Sequence, residues 1–339
     1  MLKNPLTIAG TPVGREAQPY IVAEAGSNFN QSLDTARKLI DVAVEAGADA
    51  VKFQLFRADK LYPNGGELYD IFKSIELDPE WVPLLADHAR QADIHFVASA
   101  FDHQSLDLLE TVGVPFHKIA SSETTNLGFV HRVASTGKPV VISTGMCDMV
   151  DVEEAVNVCL GVGNDNVVLM HCGALYPLPP EQANLQILRT FADRFGCVTG
   201  FSDHTLGQTA AAAAVGVGGS VFEKHFTLDR NSEGPDHFYA VEPPELKDYV
   251  AAVREAHRAL GAPEKTMLQQ EREIGRREGL YTARAMQAGE VLTANDVTAR
   301  RPALGLRARY APAVVGARLT AAIEADQPLT WDKLDFGEA

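Results

Sequence analysis

Three histidines, two lysines, a glutamate and several serines recur in this 339-residue sequence at one kind of place, the end of a short apolar run. In order, the polar residues at these ends are Glu24, Lys52 with Gln54, Ser99, Lys118 with Ser121, Ser143, His171, Ser202 with His204, and His225. The pair His204 and His225 matters most, because neutral imidazole is the commonest protein ligand for borderline divalent ions. Two histidines with open positions beside them suit an ion acting as a Lewis acid. The plainer alternative is a pair of hydrogen-bonded core histidines. Lys52 and Lys118 offer point charges for an anion, with serine hydroxyls as further donors. A lysine so placed also permits Schiff-base chemistry. Glu24 is a candidate for moving a proton or stabilising a cation. Any one of these residues could be structural, since a strand has to end in something polar. Eight ends out of eight carrying such groups is a pattern.

The runs that position them are Tyr20–Ala23, Ala50–Phe53, His95–Ala98, Phe116–Ile119, Val140–Ile142, Val167–Met170, Val198–Phe201 and Ser220–Phe222. Between them lie segments with helical spacing. Leu33–Ala46 places Leu39, Ile40, Ala43 and Val44 together and stops at Gly47. Asp151 followed by Glu154 predicts an N-cap and its capping-box partner. Strands alternating with helices imply βαβ units, and eight units in about 250 residues predict a (β/α)8 TIM barrel, an α/β fold. In a barrel, every C-terminal strand end faces one mouth. The rival, a doubly wound sheet, lacks its glycine fingerprint: the first run is followed by Glu24-Ala-Gly26-Ser-Asn28. The stretch Ser135-Thr-Gly-Lys-Pro139 is no phosphate loop, since it lacks the first glycine and has proline where Ser or Thr should stand. Ala210–Gly219 reads as a tightly packed helix entering the last strand and carries no chemistry.

Composition bounds the partners. With 30 basic and 45 acidic residues, the formal charge is −15, which argues against a general nucleic-acid or anionic-membrane binder. No apolar run approaches the roughly 18 residues of a membrane span, and the N-terminus lacks a signal-type core. The four cysteines suggest no disulfide framework. A cytoplasmic protein is the expectation. After residue 260 the pattern changes, giving a catalytic domain over 1–260, a linker over 261–278 and a small domain of short strands and turns over 279–339.

Together the landmarks identify a resemblance. Ala23-Glu24-Ala-Gly-Ser-Asn28, Gly47-Ala-Asp-Ala-Val-Lys52-Phe-Gln54, Lys118-Ile-Ala-Ser121-Ser-Glu123, Ser143-Thr-Gly-Met146, Ser202-Asp-His204-Thr205, Glu223-Lys-His225-Phe-Thr227 and Gly234-Pro-Asp236-His237 occur in this order. The chain resembles the bacterial sialic acid (N-acetylneuraminate) synthase family, which includes legionaminate and pseudaminate synthases. The resemblance spans essentially the whole length and implies a barrel followed by an antifreeze-like (SAF) domain, whose basic motif Arg300-Arg301-Pro302 matches. It implies a transferase that condenses phosphoenolpyruvate with an N-acylated amino-sugar aldehyde and releases phosphate. Glu24, His225 and Asp236 would then be the catalytic set, with Asp236 near the sugar hydroxyls or the outer sphere of a metal. Lys52, Gln54, Ser99, Lys118, Ser121, Glu123, Ser143 and Ser202 would contact substrate, and Phe101 and Tyr176 would wall the site. His204 and His225 would hold a divalent ion, Mn2+ first, with Mg2+ or Co2+ as alternatives. Arg301 would reach a partner's barrel in a homodimer and contact the sugar's N-acyl group.

This sequence also departs from the family pattern. Asn28-Phe29-Asn30-Gln31 lacks a histidine usual there, Ala174 stands where some sialate synthases have asparagine, and Phe238-Tyr239-Ala240 is bulky. These departures bear on the sugar more than on the reaction. Two other readings remain: a Schiff-base aldolase using a barrel lysine, and a non-catalytic carbohydrate-binding relative. Retention of Glu24, both lysines and both histidines argues against the second.

Overall fold

The computed structural model describes residues 1–337. The chain divides into two compact units, residues 1–261 and the part from residue 262 onward. The first opens with a hairpin, β1 (Leu6–Ile8) paired antiparallel with β2 (Thr11–Val13). Eight parallel strands then close a barrel in sequence order: β3 (Tyr20–Gly26), β4 (Ala50–Leu55), β5 (His95–Ala100), β6 (His117–Ile119), β7 (Val140–Ser143), β8 (Val167–His171), β9 (Val198–Asp203) and β10 (Gly219–His225). Helices cover the outside. The TIM barrel expected from the alternating runs is therefore the fold.

Each apolar run is a strand, and seven of the eight strands extend further toward the C-terminus than the run. The ladder continues because parallel strands satisfy their backbone groups from both neighbours, whatever the side chain. The polar residues thus sit mostly on strand, where register is fixed. Glu24 lies beside His225 and Lys52, and Ser99 lies beside Gln54 and Lys118.

Two features were not expected. The β1–β2 hairpin puts Leu6, Ile8 and Val13 into the interior cluster with Tyr20, Val97 and Phe116, closing the barrel end opposite the mouth. The helix Met149–Gly161 is capped by Asp148, not Asp151. Asp148 Oδ1 accepts from Val150 N and Asp151 N, and Asp151 Oδ2 accepts from Asp148 N. Asp151 is the partner in the box, three residues earlier than Glu154, because the helix starts three residues earlier than predicted.

The second unit has its own core, including Leu280, Met286, Leu292, Leu319 and Leu329. Its strands pair antiparallel, β11 (Gly279–Thr282) with β12 (Val297–Arg300) and β13 (Arg318–Leu319) with β14 (Leu334–Asp335). Residues 261–278 hold one short helix, Gln269–Ile274. Among the described residues no helix is long and apolar enough to cross a membrane.

Candidate active site

Period two along each strand end builds the mouth: Lys52 and Gln54, Ser202 and His204, Glu223 and His225 each share a face. The intervening Asp203 and Lys224 point the other way and pair with each other at 3.3 Å. Inside, Lys52 Nζ stands 2.8 Å from Glu24 Oε2 and 3.6 Å from Glu223 Oε1, and donates to Ser99 Oγ at 3.1 Å. Gln54 Nε2 donates to Glu24 Oε1 at 2.9 Å, and Ser202 Oγ to Glu223 Oε1 at 3.2 Å. Lys118 differs from Lys52. Its Nζ donates to Ser143 Oγ at 2.6 Å and to the Ile119 carbonyl at 3.1 Å, and among the described residues no carboxylate lies within 4.0 Å of it.

All four charged side chains are buried, which sets their proton affinities. Burial pushes the Glu24 carboxyl up, partly offset by the Lys52 ammonium beside it. Glu223 is also penalised by burial, but Lys118 and Lys52 together hold it down at about 2. Of the two carboxyls, Glu24 has the higher proton affinity. Burial lowers Lys118, whereas Lys52 is raised because Glu223 and Glu24 outweigh its desolvation.

His204 and His225 face one another with ring centroids 5.5 Å apart. Burial lowers both to about 4, with the neighbouring His225 adding to the effect on His204. Both imidazoles are therefore neutral, the form that binds metal. His204 Nδ1 meets the Gly173 carbonyl at 2.7 Å, which fixes the proton there and leaves Nε2 free to ligate. The described residues contain no cluster of three or more His, Cys, Asp or Glu side chains arranged for an ion. The pair fits an ion that takes two nitrogens from protein and fills its remaining positions with oxygen from water or substrate.

Above these groups opens a cleft of about 460 Å3, lined in part by Gln54, Phe101, Ser121, Glu123, Tyr176, His225 and Asp236. Tyr176 lies 4.2 Å, centroid to centroid, from His204. Ser121 accepts from Gly145 N at 2.9 Å and contacts Cys172 Sγ at 3.2 Å. Ser122 Oγ donates to Glu123 Oε2 at 2.7 Å, and burial pushes Glu123 up. Asp236 reaches the Glu24 side through Gly26. Gly26 has φ +53°, and a Cβ there would stand 3.1 Å from Asp236 Oδ2 and 3.7 Å from Glu24 Oε1.

The barrel thus gathers fourteen of the fifteen expected residues at one mouth. Arg301 belongs to the second unit, where its Nε stands 3.7 Å from Glu278 Oε1. His171, noted among the strand ends, contacts the Ala183 carbonyl at 2.8 Å and stacks on Phe201; it supports the wall. Sequence reasoning missed Glu223, whose place two residues before His225 on one strand already put it on the same face. It also missed Tyr239, whose hydroxyl donates to Asp236 Oδ1 at 2.9 Å.

Comparison with known proteins accords with this architecture. The NeuB family model matches residues 39–265 and the SAF domain model residues 277–335. An N,N'-diacetyllegionaminic acid synthase of Legionella pneumophila is 37% identical, covering 96% of this chain and 97% of that one. The human N-acetylneuraminate-9-phosphate synthase is 31% identical over 96% of this chain and 95% of its own. The crystal structure of the spore coat polysaccharide biosynthesis protein SpsE from Bacillus subtilis superposes with a TM-score of 0.70 at 35% identity, covering 98% of this chain and 100% of that one. The chain belongs to the NeuB family, with a SAF domain following its barrel.

Proposed function

We propose that this protein condenses phosphoenolpyruvate with an N-acylated amino-sugar aldehyde, N-acetylmannosamine or a related hexose, giving a sialic-type acid and phosphate by C–O cleavage. The carrying observation is the contrast between the two buried lysines. Lys52 is neutralised by Glu24 and Glu223, whereas Lys118 has hydroxyl and carbonyl partners but no carboxylate within ion-pair distance. A buried ammonium with no carboxylate in direct contact is costly unless an anion completes it. Lys118, with the hydroxyls of Ser121, Ser143 and Ser202, suits the phosphate or carboxylate of phosphoenolpyruvate.

C3 of the enol phosphate adds to the aldehyde carbon, whose C=O π pair goes to the oxygen and is protonated there to the product hydroxyl, and C2 is left with cationic character. Water adds there, Glu24 takes its proton, and the tetrahedral intermediate expels phosphate. The upward-shifted Glu24 carboxyl suits that proton, while Glu223 stays ionised to balance the lysines. His204 and His225 would hold a divalent ion, Mn2+ first and Mg2+ or Co2+ as alternatives. Such an ion, when bound, supplies Lewis acidity toward a carbonyl oxygen. Asp236 and Gln54 line the same cleft and offer hydrogen bonds to sugar hydroxyls.

Arg301 would complete the mouth of a second copy in a homodimer. Supporting that arrangement, Arg276, Arg277, Arg301, Arg307 and Arg309 border one cleft of about 400 Å3, with Glu278 the only acidic lining residue among the described residues.

The test is incubation with phosphoenolpyruvate, Mn2+ and a panel of acylated hexosamines, reading phosphate and product mass. With 18O in the bridging position of phosphoenolpyruvate, the label should leave in phosphate. No phosphate release with any sugar would sink the reading. The lowered Lys118 also favours a Schiff-base aldolase enough to test it. Borohydride added with either substrate should leave Lys52 and Lys118 unmodified, and a trapped adduct would promote that alternative.

A further inference from the structure

Tyr239 stands in the bulky segment after Asp236, and its ring explains only part of its setting. The ring packs 5.2 Å from His225, 4.9 Å from Tyr176 and 5.1 Å from Phe238, centroid to centroid. Phenylalanine would fill the same space. The hydroxyl is what needs a reason, since a buried phenol is costly without partners. Its partners are two groups of the candidate site: it donates to Asp236 Oδ1 at 2.9 Å and lies 3.5 Å from His225 Nδ1.

The hydrogen-bond inventory fixes the direction of the second contact. A phenol has one proton, and Asp236 takes it, so toward His225 the oxygen can only accept. As a hydrogen bond, the 3.5 Å contact requires the imidazole proton on His225 Nδ1, which would leave the Nε2 lone pair unprotonated. His204 reaches the same tautomer by another route, from Nδ1 to the Gly173 carbonyl. Both rings would thereby present Nε2 for ligation, one set by backbone and the other by a side-chain relay.

We propose that Tyr239 is a positioning residue whose hydroxyl, bridging His225 Nδ1 and Asp236, selects the His225 tautomer that offers Nε2 to a divalent ion. The proposal rests on the reading that His204 and His225 hold such an ion, and it makes Tyr239 a determinant of metal affinity without contact to the metal. Outer partners of ligating histidines typically set affinity by about 10- to 100-fold.

Two measurements on the full chain separate the proposal from the reading beneath it. In metal-free protein with 15N-labelled histidine, assigned by difference against His225→Asn, the His225 signals should report the Nδ1–H tautomer. Tyr239→Phe should shift them toward Nε2–H, while the thermal midpoint stays near wild type. Mn2+ binding followed by electron paramagnetic resonance should then be about tenfold weaker in Tyr239→Phe, and Tyr239→Phe combined with Asp236→Asn should be no weaker than the worse single variant. An unchanged tautomer and unchanged Mn2+ affinity in Tyr239→Phe overturn the proposal and leave the ion site standing. If wild type binds no Mn2+, the ion reading falls, and the tautomer measurement alone decides whether the relay exists. Tyr239→Leu adds a control. A merely structural ring would lose stability there and leave Tyr239→Phe unaffected in both assays.

Discussion

At the scale of single residues, Lys52 and Lys118 look alike in sequence and differ in energetic standing. Removing Lys52 leaves Glu24 and Glu223 buried without their cation, and breaking such a pair costs about 3–5 kcal/mol. Removing Lys118 deletes a buried charge with no carboxylate within ion-pair distance but also a cation that helps hold Glu223 ionised, so Lys118→Met should cost less than Lys52→Met. Both variants should lose at least about 100-fold in phosphate release if Lys118 receives an anion and Lys52 positions Glu24. Urea unfolding and a phosphate assay check this together. Phosphoenolpyruvate should also raise the thermal midpoint of wild type and not that of Lys118→Met. A Lys118→Met protein that loses stability as Lys52→Met does would refute the distinction. Little of this was legible in advance. Residue type announced two cations, but which one is neutralised depends on Glu223, a residue three-quarters of a barrel away in sequence.

At the scale of elements, β6 shows how a three-residue strand is held. His117 at its start meets Glu110 Oε1 at 2.8 Å, and Lys138, which precedes β7, meets the same oxygen at 2.6 Å. Burial lowers His117, with Glu110 opposing the shift. Partial burial alone would raise Glu110, but its hydrogen bonds from Lys138 and His117 bring it down. Both shifts have one sign for stability. As pH falls below the ordinary imidazole value of 6.5 the unfolded chain takes up the His117 proton first, and below 4.5 the same holds for Glu110. Stability should therefore drop from pH 7 to 5.5, and His117→Asn should flatten part of that slope in urea midpoints. An unchanged slope would show that His117 is not held neutral. The eight strands were legible because Val, Ile and Ala runs bounded by turns can be little else. The β1–β2 hairpin was not, since three-residue strands, one of them containing Pro12, show no period. The cap on Met149–Gly161 was misplaced because Asp148/Asp151 and Asp151/Glu154 have identical spacing, and only the backbone tells them apart.

At the scale of the whole molecule, charge is divided between the two units. Residues 262–339 carry eleven basic and eleven acidic side chains, so the −15 of the chain resides in residues 1–261. A neutral unit with five arginines around one cleft, joined to a strongly acidic barrel, is suited to meet the acidic surface of another copy. Barrel loops alone leave a mouth open to water, and a guanidinium lid would exclude water and grip a carbonyl oxygen. On that argument Arg301→Ala should raise KM for the sugar about tenfold, with little effect on phosphoenolpyruvate. Single variants do not say whose mouth Arg301 serves, but mixing does. Arg301→Ala subunits have an intact His225 and lack the lid; His225→Ala subunits have the lid and a crippled mouth. If each lid serves the partner's barrel, a mixed dimer contains one mouth with intact His225 covered by an intact Arg301, and at sugar below the wild-type KM activity rises above both parents toward half of wild type per dimer. If Arg301 serves its own barrel, every mouth in the mixture carries one defect and activity stays at the parental level. Tagged subunits followed by mass spectrometry establish that exchange has occurred. Parental activity in a demonstrably exchanged mixture would place Arg301 over its own mouth or outside the reaction altogether.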